Sequence, residues 1–250
     1  MKNNFLTIII ENIKTLFYAL VIAVIIRSLF FQPFYIPSSS MEPTLLIGDR
    51  IFVKKYTYGY SNHSFPFSPP FFSNRLFNKT PNYGDLVVFK TPADNRTDYI
   101  KRLIGLPGDT IQFKNGKLFL NSTEISRIKV NNKYEIRCGG TSPVTNAFKE
   151  TLPNGKEYVA VYNKVRSMRN SDEYKVPQDH YFFLGDNRDC SKDSRYLSSV
   201  GYVASKNLVG NAAIIFFSND TVSGSIFKFW NWDQSLRVER FFNLLKWQIF

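Results

Sequence analysis

Residues 15–31 read TLFYALVIAVIIRSLFF, 17 residues with one charge. As an α-helix this run is about 25 Å long, the short end of what crosses a bilayer. Arg27 lies near its end, where the aliphatic stem can stay in hydrocarbon while the guanidinium reaches the headgroups, and Phe30, Phe31, Phe34 and Tyr35 suit the interface. The pattern predicts a spanning anchor rather than a core helix. A cleaved leader fits less well, because Gln32, Pro33, Phe34 and Tyr35 are poor cleavage-site residues, and the nearest small-x-small pattern, Ser38 and Ser40, follows a second proline, Pro37. Lys2 and Lys14 predict that the flank 1–14 is cytoplasmic and the remainder lies outside.

Beyond the anchor the apolar runs become short and strand-like. Ile51-Phe52-Val53 lies between Arg50 and Lys54, and Leu86-Val87-Val88-Phe89 between Asp85 and Lys90, lengths that suit buried strands. Asn115-Gly116 separates Thr110-Ile111-Gln112-Phe113 from Lys117-Leu118-Phe119-Leu120, and such a pair supplies the positive-φ residues of a tight hairpin. Asn154-Gly155, ahead of residues 157–162, predicts a second. Residues 181–184 and 212–217 complete the strand signals. The body therefore reads as mainly antiparallel β. Residues 61–81, rich in Ser, Phe, Pro and Asn, read as a loop whose aromatics touch either the domain or a membrane. In the tail, 233–250, Val238, Phe241, Phe242, Leu245 and Ile249 share one helical face, with Arg237, Arg240 and Lys246 nearby. This predicts an amphipathic helix lying on the domain or on lipid.

Composition narrows the partners. With 250 residues, 44% of them hydrophobic, the chain can fill a core. It carries 32 Lys+Arg against 20 Asp+Glu, a net charge of +12. That excess is spread out, with no zinc-finger or helix-turn-helix pattern, which favours an anionic membrane surface over nucleic acid. Cys138 and Cys190 match no zinc spacing and leave one bridge open. His63 and His180 are the only histidines. A Ser/His/Asp triad would need one of them, yet the chain has no nucleophile elbow.

Three clusters carry chemistry. In Pro37-Ser38-Ser39-Ser40-Met41-Glu42-Pro43-Thr44-Leu45, three hydroxyls lie between two prolines, so a serine can be held on a stiff turn. Ser40 is nine residues past Phe31, hence within about 30 Å of the anchor along the chain. In Tyr99-Ile100-Lys101-Arg102-Leu103-Ile104, period 2 puts Lys101 and Arg102 on opposite faces of an apolar strand. The ordinary fate of such a lysine is to reach solvent; the alternative is a desolvated, neutral amine able to take a proton from a serine. The third, Gly185-Asp186-Asn187-Arg188-Asp189-Cys190-Ser191-Lys192-Asp193-Ser194-Arg195, lacks the Gly and distal Glu of a calcium loop. It reads as a charged turn, with no metal and no cofactor implied.

In this order after an anchor, the clusters resemble the bacterial type I signal peptidases. The family pattern PSxSMxPTLxxGD matches residues 37–49, YIKRxxGxPGD matches 99–109, GDNRDxSxDSR matches 185–195, and Gly84-Asp85-Leu86-Val87-Val88-Phe89 matches a further segment. Ser39 stands where the family often has Gly, and residues 197–203 make a longer link than usual.

The resemblance implies a membrane-anchored Ser/Lys endopeptidase that removes signal peptides from exported preproteins. Ser40 would be the nucleophile, Lys101 the general base, Ser38 an oxyanion-hole hydroxyl and Ser191 the group that orients the Lys101 amine. Phe34, Ile36, Pro37, Met41, Leu45, Tyr99 and Ile100 would line pockets for small side chains at the first and third positions before the cut. Asp193 and Arg195 would form a supporting ion pair, and Asp186 would pair with Arg102. The implied fold is an antiparallel β catalytic core, 32–111 and 178–232, with an inserted β subdomain over 112–177, preceded by one transmembrane helix. The implied setting is the inner (cytoplasmic) membrane, single-pass, with a monomeric catalytic domain on the outer side. A self-cleaving Ser/Lys repressor would need a DNA-binding module where this chain has its anchor. A tethered β domain that binds peptides without cutting them is the rival from another class.

Overall fold

A computed structural model describes all residues except 1, 71–73, 132, 133, 135, 140, 143, 166, 221–229, 231 and 246–250. Helix α1 (Lys2–Leu29) contains an apolar stretch, Thr7–Leu29, long enough to cross a membrane. From Thr7 to Arg27 every side chain is exposed: Leu16 is 69% exposed and Phe17 61%. A core helix would hide them, so this surface is suited to lipid. The helix starts earlier than the expected 15–31 run, because Glu11 and Lys14 interrupt the apolar residues without breaking backbone hydrogen bonding. It also ends sooner. Phe31 already belongs to strand β1 (Phe31–Tyr35), where Pro33, which lacks the N–H a helix would need, sits opposite Phe52 at the edge of a sheet.

The main sheet gathers β1, β2 (Asp49–Lys54), β3 (Leu86–Lys90) and β4 (Asp98–Gly105) from the first half of the body. Between β4 and the return to this sheet come β5 (Thr110–Lys114), β6 (Lys117–Leu120), β7 (Thr123–Glu124), β8 (Ser126–Val130), β9 (Thr145–Thr151), β10 (Glu157–Asn163) and β11 (Tyr174–Lys175). The sheet is then completed by β12 (His180–Leu184), β13 (Val203–Ala204), β14 (Leu208–Ser218) and β15 (Asn243–Leu244). Its order is β1-β2-β14-β3-β4-β12-β13, with β15 on β14 and every pairing antiparallel. The intervening strands form two smaller sheets, β11-β5-β6-β7 and β10-β9-β8. Both Asn-Gly turns are hairpins, joining β5 to β6 and β9 to β10.

The apolar runs follow from two-sided burial. In β3, Leu86 and Val88 pack with Ile36, Met41 and Leu45, while Val87 and Phe89 pack with Leu103 and Phe183. Polar alternation is absent because neither face meets water. In β2, Ile51 and Val53 face the first of these clusters and alternate with half-buried Arg50, Phe52 and Lys54.

The tail differs from the amphipathic helix expected over 233–250. Its described part has one short helix, α2 (Trp232–Ser235), then a turn, Val238–Arg240, then β15. Two opportunities outcompete helical periodicity here. Arg240 reaches Asp49 at 2.6 Å and Thr44 O at 3.1 Å, and Arg237 reaches Ile47 O at 2.9 Å. Residues 243 and 244 take open backbone positions on β14, and Phe241 stacks on Phe217 with ring centroids 5.0 Å apart. The tail thereby straps the loop that follows Ser40. Lys246 and Ile249 lie outside the described residues.

Candidate active site

Ser40 sits in a single 3-10 turn, Ser39–Met41, entered from Ser38 in an extended conformation. Met41 and Leu45 pin this turn, since both are fully buried in the core beneath it. Lys101 comes from β4, paired to Val87 of β3. Its Nζ is 2.5 Å from Ser40 Oγ, and Ser38 Oγ is 3.3 Å from the same oxygen. Lys101 is 4% exposed, and burial pulls its pKa down to about 8, with the Asp193 and Asp186 charges opposing the fall and Arg195 adding to it. A lysine stripped of water favours its neutral form, and a neutral amine beside a hydroxyl can accept that proton.

Arg102 takes the other face. Its Nε and Nη2 hold the two oxygens of Asp186 at 2.7 and 2.6 Å, and Nη1 donates to Gly84 O at 2.9 Å. The Thr44 hydroxyl donates to Asp186 Oδ2 at 2.5 Å. Asp193 receives Arg195 at 2.8 and 2.9 Å and also the Gly185 N–H at 3.0 Å. Both expected ion pairs are therefore present, and each also secures backbone or side chains around the serine turn.

Ser191 departs from expectation. Its hydroxyl is buried and, among the described residues, has no hydrogen-bond partner, the Lys101 amine included. The side chain is turned instead against Gly185, where a Cβ would meet Ser191 Oγ at 2.2 Å and Ser40 O at 2.5 Å. That close approach needs glycine.

A cleft of ≈ 380 Å³ opens beside Ser40 and Lys101. Phe34, Ile36, Pro37, Met41, Tyr99 and Ile100 line it, as expected, together with Ile51, Val88, Cys190 and Lys192. Leu45 does not: it is the floor under Met41, wholly within the core. Neither histidine lines this cleft. His63 Nδ1 is 3.0 Å from Ser68 Oγ, and His180 Nδ1 is 2.8 Å from Gln178 O.

Several supporting residues carried no role in the sequence reading. Asn187 donates its backbone N–H to Ser40 O at 3.2 Å and its amide to Ser39 O at 3.0 Å, tying the two motif loops together. Arg188 is buried against Glu150 at 2.7 Å, with Tyr158 and Tyr162 completing the cage. Asn187 and Arg188 were legible as motif letters, but Glu150 belongs to no motif. Cys138 and Cys190 form a disulfide, which joins the inserted region to the turn ahead of Ser191.

The sequence model of the family described as signal peptidase, peptidase S26, matches residues 9–217. The signal peptidase I of Rickettsia conorii is 41% identical over 245 residues, covering 91% of this chain and 90% of that protein. That of Rickettsia canadensis is 41% identical over 249 residues, covering 93% and 92%. A crystal structure of a signal peptidase I from Enterococcus faecalis superposes at 25% identity and a TM-score of 0.32, over 53% of this chain and 97% of that one. The family match and these identities over nine-tenths of its length make this chain a member of the signal peptidase family, peptidase S26, a family of serine endopeptidases.

Proposed function

We propose that this signal peptidase cuts preproteins with Ser40 as nucleophile and Lys101 as general base. The reading is carried by one observation, a buried lysine nitrogen 2.5 Å from a serine hydroxyl at the wall of an apolar cleft. The neutral Lys101 amine takes the Ser40 proton as Ser40 Oγ bonds to the scissile carbonyl carbon. Charge then develops on the carbonyl oxygen, where the Ser38 hydroxyl and the Ser40 N–H can donate. The lysine ammonium returns the proton to the departing amine, and the C–N bond breaks. In the second half Lys101 takes a proton from water as the water oxygen bonds to the acyl carbon, then returns that proton to Ser40 Oγ as the C–Oγ bond breaks, freeing the acid and restoring the neutral amine. Ser191 Oγ, a buried hydroxyl with no hydrogen-bond partner among the described residues, is costly to leave unpaired, and the Lys101 amine is the partner we assign to it during turnover.

Substrate selection follows from strand geometry. β1 is an edge strand, so an extended peptide can pair with it alongside the cleft. Alternate side chains of an extended chain point the same way, which sends the first and third residues before the cut toward one apolar wall. That wall, Ile36, Met41, Val88 and Ile100, leaves shallow space and excludes large side chains. Partners are thus exported preproteins with small residues at those two positions, and the enzyme works as a monomer.

The setting we propose is the bacterial inner membrane, with α1 as anchor, its N-terminus cytoplasmic and the β body outside. The Cys138–Cys190 bridge supports that orientation, since structural disulfides persist in oxidising compartments. Incubation with a purified preprotein, followed by intact-mass analysis, tests the activity and locates the cut. A shortened product from the native chain and none from Ser40→Ala is expected. Tight binding with unchanged substrate mass would favour the tethered peptide-binding domain instead.

A further inference from the structure

A second cavity, of ≈ 560 Å³, lies outside the catalytic cleft and differs from it in kind. Arg27, Lys55, Lys90 and Arg96 bring four cations to its wall, against the carboxylates of Asp94 and Asp98. Lys90 is already paired, with Nζ 2.8 Å from Asp98 Oδ2. Asp94 is occupied by its own loop, accepting from the Thr97 hydroxyl at 2.5 Å and from the Arg96 and Thr97 N–H groups at 2.8 and 3.0 Å. Among the described residues, Arg27, Lys55 and Arg96 have no carboxylate at ion-pair distance. Lys55 is 2% exposed with its ammonium on Ser64 O at 2.6 Å. Burial, followed by the neighbouring Arg27 charge, pulls its pKa down to about 8. Lys55 is held away from water beside the exposed cations Arg27 and Arg96, and a bound anion relieves such an unpaired cluster of like charge.

The position says which anion. Arg27 is two residues before the end of the membrane-crossing stretch at Leu29, about 3 Å along the helix axis, which is headgroup level when α1 spans. Phe65, Pro66 and Phe67 form an apolar part of the same wall, and Phe67 is completely exposed. An aromatic beside a cationic hollow matches the junction of acyl chain and phosphate. We infer that this cavity binds the phosphate of an anionic phospholipid headgroup, from the leaflet at which α1 ends, through Arg27, Lys55 and Arg96. Asp98 lines both cavities, so a lipid held here keeps the catalytic cleft at the bilayer surface, where a membrane-inserted signal peptide presents its end. The inference rests on reading α1 as an anchor.

The test uses the full chain in detergent, titrated with phosphatidylglycerol or phosphatidylcholine and read by native mass spectrometry. One phosphatidylglycerol is retained in preference to phosphatidylcholine, and Lys55→Met and Arg96→Gln each weaken it about fivefold, the effect of one cation near a membrane phosphate. Cleavage of a soluble signal-peptide substrate reports that each variant is folded; Arg96 is exposed, so its variant carries the test if Lys55→Met does not fold. Equal retention of the two lipids, undiminished affinity in Arg96→Gln, or displacement by excess inorganic phosphate overturns the headgroup site, the last assigning the cavity to free phosphate. Carbonate washing of membranes carrying the protein separates the underlying reading. Release into the wash overturns the anchor, whereas retention without lipid preference overturns the headgroup site alone.

Discussion

Two lysines in this molecule are buried to nearly the same degree, Lys101 at 4% exposure and Lys55 at 2%, and burial lowers the pKa of each to about 8. Their partners differ. Lys101 faces the hydroxyl of Ser40, which has a proton to give, inside a cleft that can admit a peptide. Lys55 faces the carbonyl of Ser64, which has none, in a hollow bordered by other cations. Burial alone therefore does not make a general base. A depressed pKa supplies the neutral amine, but chemistry needs a donor on one side and room for a carbonyl on the other. On the proposed readings, the surroundings of Lys101 suit it to accept a proton and those of Lys55 suit it to meet an anion.

The sharpest way to break this contrast is to truncate both. Ser40→Ala or Lys101→Met is expected to lower preprotein cleavage by at least about ten-thousand-fold, since members of such a dyad act as a unit, whereas Lys55→Met stays within about threefold on a soluble peptide. Loss of soluble-peptide cleavage in folded Lys55→Met would sink the distinction. Next, Ser38→Ala removes one proposed oxyanion donor and is expected to reduce kcat about a hundredfold or more with KM little changed; steady-state kinetics on a peptide substrate reads the split. Gly185→Ala forces a methyl group against Ser40 O and Ser191 Oγ, and a displacement near 1 Å at the nucleophile costs about a hundredfold in kcat/KM. A variant with wild-type rate would show that the turn can yield without moving Ser40.

Two smaller effects concern the proton. Unfolded, Lys101 holds its proton up to about its ordinary value of 10.5, but folded only to about 8. Between those values the unfolded chain binds more protons, so this group's contribution to stability rises with pH through that window, and below it the buried lysine is a net cost. Lys101→Met is accordingly expected to be inactive yet about 2 kcal/mol more stable at pH 7, after allowing for the lost contact with Ser40; urea melts at pH 7 and pH 10 check both magnitude and sign. Finally, kcat/KM of the native enzyme is expected to rise roughly tenfold between pH 7 and pH 9 as the free-enzyme amine loses its proton. A flat profile, with chemistry rate-limiting, would contradict Lys101 as base.

How far the structure was legible varies by element. Strands β2, β3, β12 and the core of β14 were readable because their apolar runs have no alternative burial, and the β5–β6 and β9–β10 hairpins because Asn-Gly dictates its own turn. The limits of α1 were not, because Phe30 and Phe31 are as apolar as the helix before them, and the choice between helix and strand fell to pairing with residues 50–54. The tail had a helical pattern, but Asp49, Thr44 and the open positions on β14 drew it into another shape. At the site, Ser40, Lys101 and the pairs Arg102–Asp186 and Arg195–Asp193 were visible as motif letters. Leu45 was expected at the cleft and lies beneath it, since hydrophobicity does not tell a lining residue from the floor. Ser191 was expected on Lys101 and is turned toward Gly185, a matter of one side-chain rotation that no spacing encodes.

By itself the sequence determined the inventory: an apolar helix for an anchor, a serine held between prolines, a lysine in an apolar strand, a mainly β body and a family. These are local, written in runs of a few residues whose periodicity and turn chemistry act without distant partners. Tertiary structure decided which groups meet. It brought Ser40 within 2.5 Å of a lysine 61 residues away, closed Cys138 on Cys190, and gave Arg188 its Glu150. It also collected Arg27, Lys55 and Arg96, scattered through the chain as part of a diffuse positive charge, around one cavity at the membrane end of the molecule. Charge in a sequence is only a sum; burial and proximity, which set how strongly one charge feels another, exist only once the chain has folded.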